Sequence, residues 1–254
     1  NAELGLRVNP MHSEGQVTKY DPCTPGSRLG TPLRQLENKL PEAVQGLHIH
    51  ALCEQDFPPL ARTVEALRPL LDAAAPNLRW LNLGGGHLVT HPDYGRAALA
   101  DLLDTLARTY EVQVFLELGT AVACDAGILV GEVLDVMEND GPVAVLDVSA
   151  TCHMPDVLEA PYRPALRGER GDAHAVRLAG PSCLAGDVIG TYGFESLPQA
   201  GDRLAFLDQA HYSMVKTTTF NGVPLPALAI WNSDTDALRL VRAFDYADFE
   251  GRLS

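Results

Sequence analysis

The chain has 254 residues, of which 46% are hydrophobic and 20% are charged, so it can form one large globular domain or two smaller ones. Its net charge of −14 argues against nucleic acid and anionic membranes as partners and suits a cationic small molecule, although acidity also serves solubility. No apolar run approaches the roughly 18 residues that cross a bilayer, and no signal-peptide pattern is present. Five scattered cysteines without a CxxC pair indicate reduced thiols and a cytoplasmic protein.

Strand and helix patterns alternate through the first half. GLRVNP (5–10) is predicted to be a buried strand. TPLRQLENKL (31–40) is predicted to be a helix, because Thr31 and Pro32 make a good N-cap and first helical residue. The later predicted strands are GLHIHAL (46–52), LRWLNLGGGH (78–87) and EVQVFLELG (111–119), and the amphipathic helices are PPLARTVEALRPLLDAAA (58–75) and YGRAALADLLDTLARTY (94–110).

This spacing predicts parallel βα units with polar and glycine-rich residues at the C-terminal ends of the strands. In a (β/α) barrel that face carries the chemistry, and four strands make half of an eight-stranded barrel. After about residue 122 the pattern becomes β-type, with runs around a Glu-Asn-Asp-Gly turn in 126–149 and alternation in 202–220. We therefore predict an α/β plus β fold, in which 1–124 form the C-terminal half of a (β/α)8 barrel and 125–254 form a mostly β domain with a closing tail.

Several polar groups are predicted at the mouth of this barrel. The glycine run 84–86 leaves N–H groups that can approach a phosphate, although such a run also serves as a tight turn. His48 and His50 alternate along one strand, and we expect one to face the mouth and the other to pack behind it, so that they share no metal. Glu117 ends the fourth strand and projects into the mouth, unless it serves a structural salt bridge. Phosphate donors, an imidazole and a carboxylate at one mouth describe a pyridoxal phosphate pocket.

The segment GPSCLAGDVIG (180–190) places Cys183 four residues before Asp187 among glycines. A free cysteine is often a small buried hydrophobe, so this segment by itself does not indicate chemistry.

Five segments together resemble a known family: GLHIHALCE, LNLGGGH, ATCHMPDVLEAPYRP, GPSCLAGDVIG and HYSMVKTTTFNGV. They closely resemble the carboxynorspermidine and carboxyspermidine decarboxylases, which belong with the ornithine and diaminopimelate decarboxylases to the fold type III pyridoxal phosphate enzymes of alanine racemase fold. The resemblance runs from about Gly5 to Trp231. It implies decarboxylation to norspermidine or spermidine by a homodimer with shared active sites.

The resemblance also implies roles for single residues. Cys183 resembles the thiol that reaches across the dimer interface and protonates the substrate carbon, and Asp187 would help to hold its turn. Asp156 is our candidate for the carboxylate that receives a substrate ammonium. The implied cofactor-binding residues are His48 on the ring, Gly84, Gly85, Gly86 and Tyr212 on the phosphate, and Glu117 on the pyridine nitrogen; the implied substrate-binding residues are Asp156, Asp187 and Thr120.

The sequence departs from the family at three places. The fourth strand ends Glu-Leu-Gly-Thr where relatives have Glu-Pro-Gly-Glu, so Thr120 replaces a carboxylate that is a plausible substrate ligand. Ala51 stands where relatives carry a hydroxyl residue. The cofactor-binding lysine has no convincing substitute among Lys19, Lys39 and Lys216, and we expect it in a barrel half upstream, without which the chain is inactive. Two alternatives stay open: a sister decarboxylase acting on another diamino acid, of the diaminopimelate or ornithine type, or a non-catalytic binding protein.

Overall fold

The computed structural model describes residues 2–171 and 174–253, and the chain divides into two compact units, Asn1–Val122 and Ala123–Ser254. In the described part of the chain, no helix has both the length and the apolar character needed to cross a membrane.

The first unit contains a five-stranded parallel sheet with the strand order β2-β1-β3-β4-β5. This order and sense are those of part of a (β/α) barrel, so the predicted α/β half is confirmed. The strands are β1 (Leu4–Asn9), β2 (Thr31–Pro32), β3 (Val44–His48), β4 (Trp80–Asn82) and β5 (Gln113–Phe115), and the helices are α1 (Phe57–Ala74), α2 (Arg96–Tyr110) and the single turn α3 (Thr120–Ala123).

Helix α1 begins where the sequence provides a cap. Asp56 accepts a hydrogen bond from the N–H of Phe57 at 2.6 Å, and two prolines occupy the first turn, where a missing N–H costs little. The apolar positions of α1 repeat at three and four residues, and they pack with Leu47 and Leu81 of the sheet in one core. Since strand side chains alternate between faces, the neighbours of Leu47 and Leu81 lie on the face away from this core.

The helix predicted over 31–40 is wrong. Thr31–Pro32 pair with β1 as strand β2, and only Leu33–Gln35 form one 3-10 turn. Glu37 and Asn38 have left-handed backbone conformations, with φ of 46° and 57°, and a right-handed helix cannot continue through them.

Trp80 fills space on the face of the sheet away from the helices. Its indole lies over Gly5 of β1 and Gly46 of β3, and a Cβ at either glycine would overlap the ring. Phe115 of β5 packs edge-on against the same indole, with ring centroids 6.4 Å apart. Glycine at both positions therefore makes room for one large side chain.

The second unit is built on a mixed five-stranded sheet with the order β10-β6-β7-β8-β9, in which only the β7–β8 pair is parallel. The predicted β-type half is thereby confirmed, including the turn at Asp140 and Gly141, whose φ angles are 54° and 110°. Its elements are β6 (Leu129–Glu138), β7 (Pro142–Leu146), α4 (Ala150–His153), α5 (Asp156–Glu159), β8 (His174–Ala179), β9 (Val188–Phe194), β10 (Arg203–Phe206), α6 (Tyr212–Val215), a separate hairpin of β11 (Leu228–Asn232) and β12 (Ala237–Arg242), and α7 (Tyr246–Glu250).

Candidate active site

A polar row crosses the sheet of the first unit. Arg7 of β1 pairs in register with His48 of β3, and His48 pairs with Asn82 of β4. These residues share the parity of Trp80, so their side chains lie on the face away from the helices. Sequence reasoning missed Arg7 and Asn82, although the two-residue spacing of Asn82 from Trp80 was available as a signal.

Glu117 follows β5 and its carboxylate faces this row. The Asn82 side-chain amide donates to Glu117 Oε1 at 2.8 Å, and the Glu117 backbone N–H donates to the Gly84 carbonyl at 2.7 Å. Glu117 Oε2 lies 3.5 Å from His48 Nε2 and 4.0 Å from His50 Nδ1. The structure thus brings together His48, Gly84 and Glu117, three residues that the sequence predicts for the site.

The expectation that His48 and His50 point to opposite faces is wrong. Residues two apart on a strand share a face, and the extended pairing continues past β3 because Ile49 donates to the Asn82 carbonyl at 2.8 Å. The two rings lie edge to face with centroids 6.5 Å apart. Ligand atoms of His48, His50 and Glu117 all lie within 4.8 Å of one another, so the argument against a shared metal fails as well. The Gly85 N–H donates to His50 Nδ1 at 3.3 Å, which engages the lone pair of that nitrogen.

Burial lowers the pKa of both imidazoles. Desolvation lowers the pKa of His48 most, Glu117 raises it, and the positive charge of Arg7 lowers it further. Desolvation and then Arg7 lower the pKa of His50, against an opposing effect of Glu117. Both rings are therefore neutral at pH 7, and a neutral, flat imidazole is suited to stack on an aromatic ligand.

The glycine loop after β4 is shaped by its neighbours. Gly84 and Gly86 have φ of 70° and 82°, which only glycine adopts readily. A Cβ at Gly84 would overlap the Ile49 carbonyl, one at Gly86 the Leu52 carbonyl, and one at Gly85 would lie 2.5 Å from the Glu117 carbonyl oxygen. The glycines allow β4 to pack between the ends of β3 and β5.

His87, which sequence reasoning also missed, closes this loop. It is buried, its Nε2 lies 3.2 Å from the Gly84 carbonyl oxygen, and desolvation lowers its pKa. Its position directly after the three glycines was the available signal.

Thr120, the predicted substrate-binding residue of the altered strand end, begins α3. Its hydroxyl donates to Glu54 Oε1 at 3.1 Å. A carboxylate is therefore present beside Thr120, supplied by the loop that follows β3.

Cys183 lies in the second unit on an exposed turn between β8 and β9. Its backbone N–H donates to Asn221 Oδ1 at 2.7 Å, and Asn221 has a left-handed backbone with φ of 63°. Asn221 joins the GPSC and TTTFNG segments, and sequence reasoning missed it although Asn-Gly is a turn signal.

Asp187 is not available as a substrate ligand, and its prediction in that role is corrected. It is only 2% exposed. Its Oδ2 accepts from the Ser149 hydroxyl at 2.7 Å and the Ser182 N–H at 3.3 Å, and its Oδ1 accepts from the Thr151 N–H at 3.1 Å. These contacts agree with the other predicted role, in which Asp187 holds the turn of Cys183.

Asp156 is paired within its own unit. Lys216 donates to Asp156 Oδ1, and the same ammonium lies 3.7 Å from Glu159 Oε2. A substrate ammonium at Asp156 would have to share the carboxylate with Lys216. Tyr212 begins α6, and its exposed ring lies 5.6 Å from Lys216 Nζ.

The donor set of the first unit fits pyridoxal phosphate. His48 Nε2 is buried and has no hydrogen-bond partner among the residues that the structure describes. Glu117 combines a fixed oxygen with one directed toward the imidazoles, and the glycine loop lies beside both. A parallel βα sheet with these groups at its strand ends, in a chain that also forms a separate β unit, is the arrangement expected of a fold type III pyridoxal phosphate enzyme.

Comparison with known proteins gives the family. The family described as pyridoxal-dependent decarboxylase, C-terminal sheet domain, matches residues 20–210, and the chain belongs to it. The chain is 44% identical over 257 residues to carboxyaminopropylagmatine decarboxylase of Synechocystis, covering 99% of this chain and 66% of that protein. It is 37% identical over 263 residues to carboxynorspermidine/carboxyspermidine decarboxylase of Campylobacter jejuni, covering 98% of this chain and 69% of that protein. The resemblance inferred from the motifs is confirmed.

Solved structures of pyridoxal-dependent decarboxylases are also similar to the chain. The crystal structure of Campylobacter jejuni carboxynorspermidine decarboxylase complexed with norspermidine matches with a TM-score of 0.87 and 36% identity, over 98% of this chain and 69% of that one. Diaminopimelate decarboxylase of Helicobacter pylori, complexed with L-lysine, matches with a TM-score of 0.81 at 15% identity, over 100% of this chain and 67% of that one, and shares the fold. The chain spans about two thirds of the length of these relatives.

Proposed function

We propose that the protein containing this chain uses pyridoxal phosphate to decarboxylate carboxynorspermidine or carboxyspermidine. The observation that carries the proposal is the Glu117 carboxylate, fixed by Asn82 and facing His48 beside the glycine loop. Relatives at 37% identity that bear these substrate names support it. Carboxyaminopropylagmatine is a second candidate substrate, favoured by the relative at 44% identity.

Residues of the first unit would hold the cofactor. His48 would stack on the ring, and the Glu117 carboxylate would accept a hydrogen bond from the pyridine N–H and so keep the ring protonated. The Asn82 hydrogen bond keeps Glu117 in that orientation. The glycine loop Gly84–Gly86 would lie against the phosphate; the N–H groups of Gly84 and Gly85, which now donate to Asn82 Oδ1 at 2.9 Å and His50 Nδ1 at 3.3 Å, would donate to the phosphate instead. When bound, the cofactor supplies an electron sink for the electron pair left by departing carbon dioxide. Tyr212, exposed at the start of α6, would add a hydroxyl donor to the phosphate.

Cys183 would return the proton to the substrate carbon as a general acid. Its turn is fixed from two sides, by Asp187 on Ser182 and by Asn221 on the Cys183 backbone. The thiol is exposed in its own chain, which agrees with delivery into the site of a second subunit of a homodimer.

Substrate cations would be bound by carboxylates. Asp156 would bind one substrate ammonium, with its carboxylate shared between that ammonium and Lys216. Thr120 would contribute its hydroxyl. The five cysteines are scattered and form no CxxC pair, which supports a reducing compartment such as the cytoplasm.

The test uses the protein expressed from its complete coding sequence. Carbon dioxide release and the amine product are measured with carboxynorspermidine, carboxyspermidine, carboxyaminopropylagmatine and diaminopimelate. We expect turnover of at least one carboxylated polyamine and weak or no turnover of diaminopimelate. Preference for diaminopimelate would favour the sister decarboxylase, and cofactor binding without any turnover would favour a non-catalytic protein.

Variants at Cys183 test its role. Cys183→Ala should lower turnover by about 10²–10⁴-fold and leave cofactor absorbance unchanged, because only the proton donor is lost. Cys124→Ala is the matched control and should keep full turnover. Asn221→Gly keeps the left-handed backbone but removes the acceptor for the Cys183 N–H, so it should lower kcat with little change in KM. Full turnover in Cys183→Ala, or loss of its cofactor, would refute the assignment.

A further inference from the structure

A second carboxylate stands at the strand ends of the first unit, outside the group around Glu117. Glu54 lies in the loop that connects β3 to α1, four residues after His50. It is exposed, and its backbone is left-handed with φ of 49°. This region is disfavoured for a non-glycine residue, because its Cβ approaches the following carbonyl oxygen. Such strain persists where the surrounding structure imposes it and is concentrated at functional sites.

The turn that carries Glu54 is fixed by its neighbours on both sides. The Gln55 N–H donates to the Gly86 carbonyl at 2.9 Å, and the Gln55 side chain accepts from the Cys53 N–H at 3.3 Å and donates to the Glu14 carbonyl at 2.9 Å. The residues before Glu54 also lie against the glycine loop, since a Cβ at Gly86 would overlap the Leu52 carbonyl. Glu54 thus lies on a turn that is held by hydrogen bonds and that adjoins the glycine loop.

The carboxylate itself is held across the sheet. Thr120, three residues after Glu117, donates to Glu54 Oε1 at 3.1 Å. Glu54 belongs to the end of β3 and Thr120 to the end of β5, and β4 with its glycine loop lies between these strands. The Thr120–Glu54 hydrogen bond therefore lies at the C-terminal edge of the sheet, where Glu117 and His48 also lie.

Glu54 differs from Asp156 in the partner of its carboxylate. Asp156 faces the ammonium of Lys216, whereas the hydrogen-bond partner of Glu54 is a neutral hydroxyl. Among the described residues no cation forms an ion pair with Glu54. A fixed carboxylate with an unbalanced charge at the mouth of a site attracts the cationic end of a ligand, and its second oxygen is free of the Thr120 contact.

We propose that Glu54, oriented by Thr120, binds the cationic end of the substrate that lies farthest from the reacting carbon, as an ammonium or a guanidinium. The assignment rests on the proposed function for the identity of the substrate. It gives Thr120 a positioning role and makes Glu54 the residue that determines specificity for polyamine substrates.

The test measures binding and turnover separately in the complete protein loaded with its cofactor. Norspermidine and spermidine are the binding probes, titrated by calorimetry, and carboxynorspermidine is the turnover substrate. Glu54→Gln should weaken norspermidine binding about tenfold or more, raise KM by a similar factor and leave kcat within about twofold; tenfold corresponds to about 1.4 kcal/mol. Glu42→Gln is the matched control, since Glu42 is exposed in the turn before the same strand, and it should change neither value.

Variants at Thr120 test the positioning. Thr120→Val keeps the shape of the side chain but loses the hydrogen bond, so it should raise KM less than Glu54→Gln does, and Thr120→Ser should restore the wild-type value. Cofactor absorbance should stay unchanged in all of these variants.

The outcomes separate the two proposals. Loss of norspermidine affinity in Glu54→Gln together with no carbon dioxide release by the wild type would support Glu54 and refute the proposed reaction. Turnover by the wild type with Glu54→Gln inside twofold of it in both binding and KM would refute Glu54 and leave the reaction standing. A wild-type protein that binds neither triamine would overturn both.

Discussion

Three buried side chains in the second unit form one connected hydrogen-bond network. The Ser149 hydroxyl donates to Asp187, the Ser149 N–H donates to His153 Nδ1 at 3.1 Å, and His153 Nε2 lies 3.0 Å from the Pro224 carbonyl oxygen. Because Nδ1 accepts, the proton of the neutral ring is on Nε2 and is donated to Pro224. The network connects the turn of Cys183 through α4 to the segment after Asn221.

Asp187→Asn should destabilise the second unit. An amide replaces one acceptor oxygen by a donor, which then faces the N–H and hydroxyl donors that now bind the carboxylate. We expect a loss of about 1–3 kcal/mol in the free energy of unfolding, measured by urea denaturation. Asp202→Asn is the control, because Asp202 caps an exposed turn by accepting from the Gln199 N–H at 2.8 Å and should change little. Equal stability of the two variants would contradict the structural role of Asp187.

His153 should make stability depend on pH. Burial lowers its pKa below the ordinary value of 6.5, although the Pro224 carbonyl, Asp147 and Asp187 act in the opposite direction. The unfolded chain therefore binds the proton more tightly than the folded protein, so the contribution is fully present above pH 6.5 and is lost as the pH falls below it. Unfolding free energy measured across this range should fall toward acid, and His153→Asn should reduce that slope. A His153 titration midpoint above 6.5 by NMR would show that the direction is wrong.

Single residues show what the sequence could and could not predict. Glu117, His48 and the glycine run were predictable because each lies at or directly after the end of a strand, and ends of parallel strands meet at one edge. The shared face of His48 and His50 was also available from the two-residue period and was misread. The contacts of Cys183 with Asn221 and of Asp156 with Lys216 join residues 38 and 60 positions apart, and such partners depend on tertiary packing that one sequence does not specify.

At the scale of elements, the glycine loop sets the spacing of three neighbouring strand ends. Gly84 packs on the segment after β3 and Gly85 on the segment after β5. The loop thereby fixes the distance between the imidazoles and Glu117. The sequence predicted the loop but not this role, since the close approach of three backbones is a tertiary contact.

Gly84→Ala should disrupt the first unit, whereas Gly119→Ala should be tolerated. Alanine at Gly84 would need a left-handed backbone and would overlap the Ile49 carbonyl, while a Cβ at Gly119 would meet no described atom within 4 Å. We expect Gly84→Ala to cost on the order of 1–3 kcal/mol and to weaken cofactor affinity, measured by thermal unfolding and cofactor titration. Similar melting temperatures for the two variants would contradict the packing described.

Element prediction succeeded where apolar periodicity and burial agreed and failed where backbone conformation decided. Helices α1 and α2 have apolar stripes that pack into the core, so local pattern and burial favour the same structure. The segment 31–40 has a good helix start, but Glu37 and Asn38 take left-handed conformations. The favourable first turn therefore does not continue as an α-helix, because the backbone leaves the right-handed region directly after one 3-10 turn.

At the scale of the whole molecule, acidic residues outnumber basic ones by 33 to 19. A field of this sign attracts polycationic substrates and is screened by salt, with a Debye length of about 10 Å at 0.1 M. For the complete protein, we expect kcat/KM for carboxynorspermidine to fall severalfold between about 50 and about 500 mM sodium chloride. The change should lie in KM, because kcat reports steps after binding. A kcat/KM that is constant over this range would show that the net charge serves solubility alone.

The position of Trp80 over two glycines gives the first unit an optical reporter of its own. The chain has two tryptophans, and Trp231, the other one, is 60% exposed on β11 in the second unit. In a Trp231→Phe variant, the tryptophan emission contributed by these 254 residues comes from the indole that spans β1 and β3. Its wavelength and quenching follow the docking of these two strands, so separation of the sheet at this point can be recorded apart from any event in the β unit.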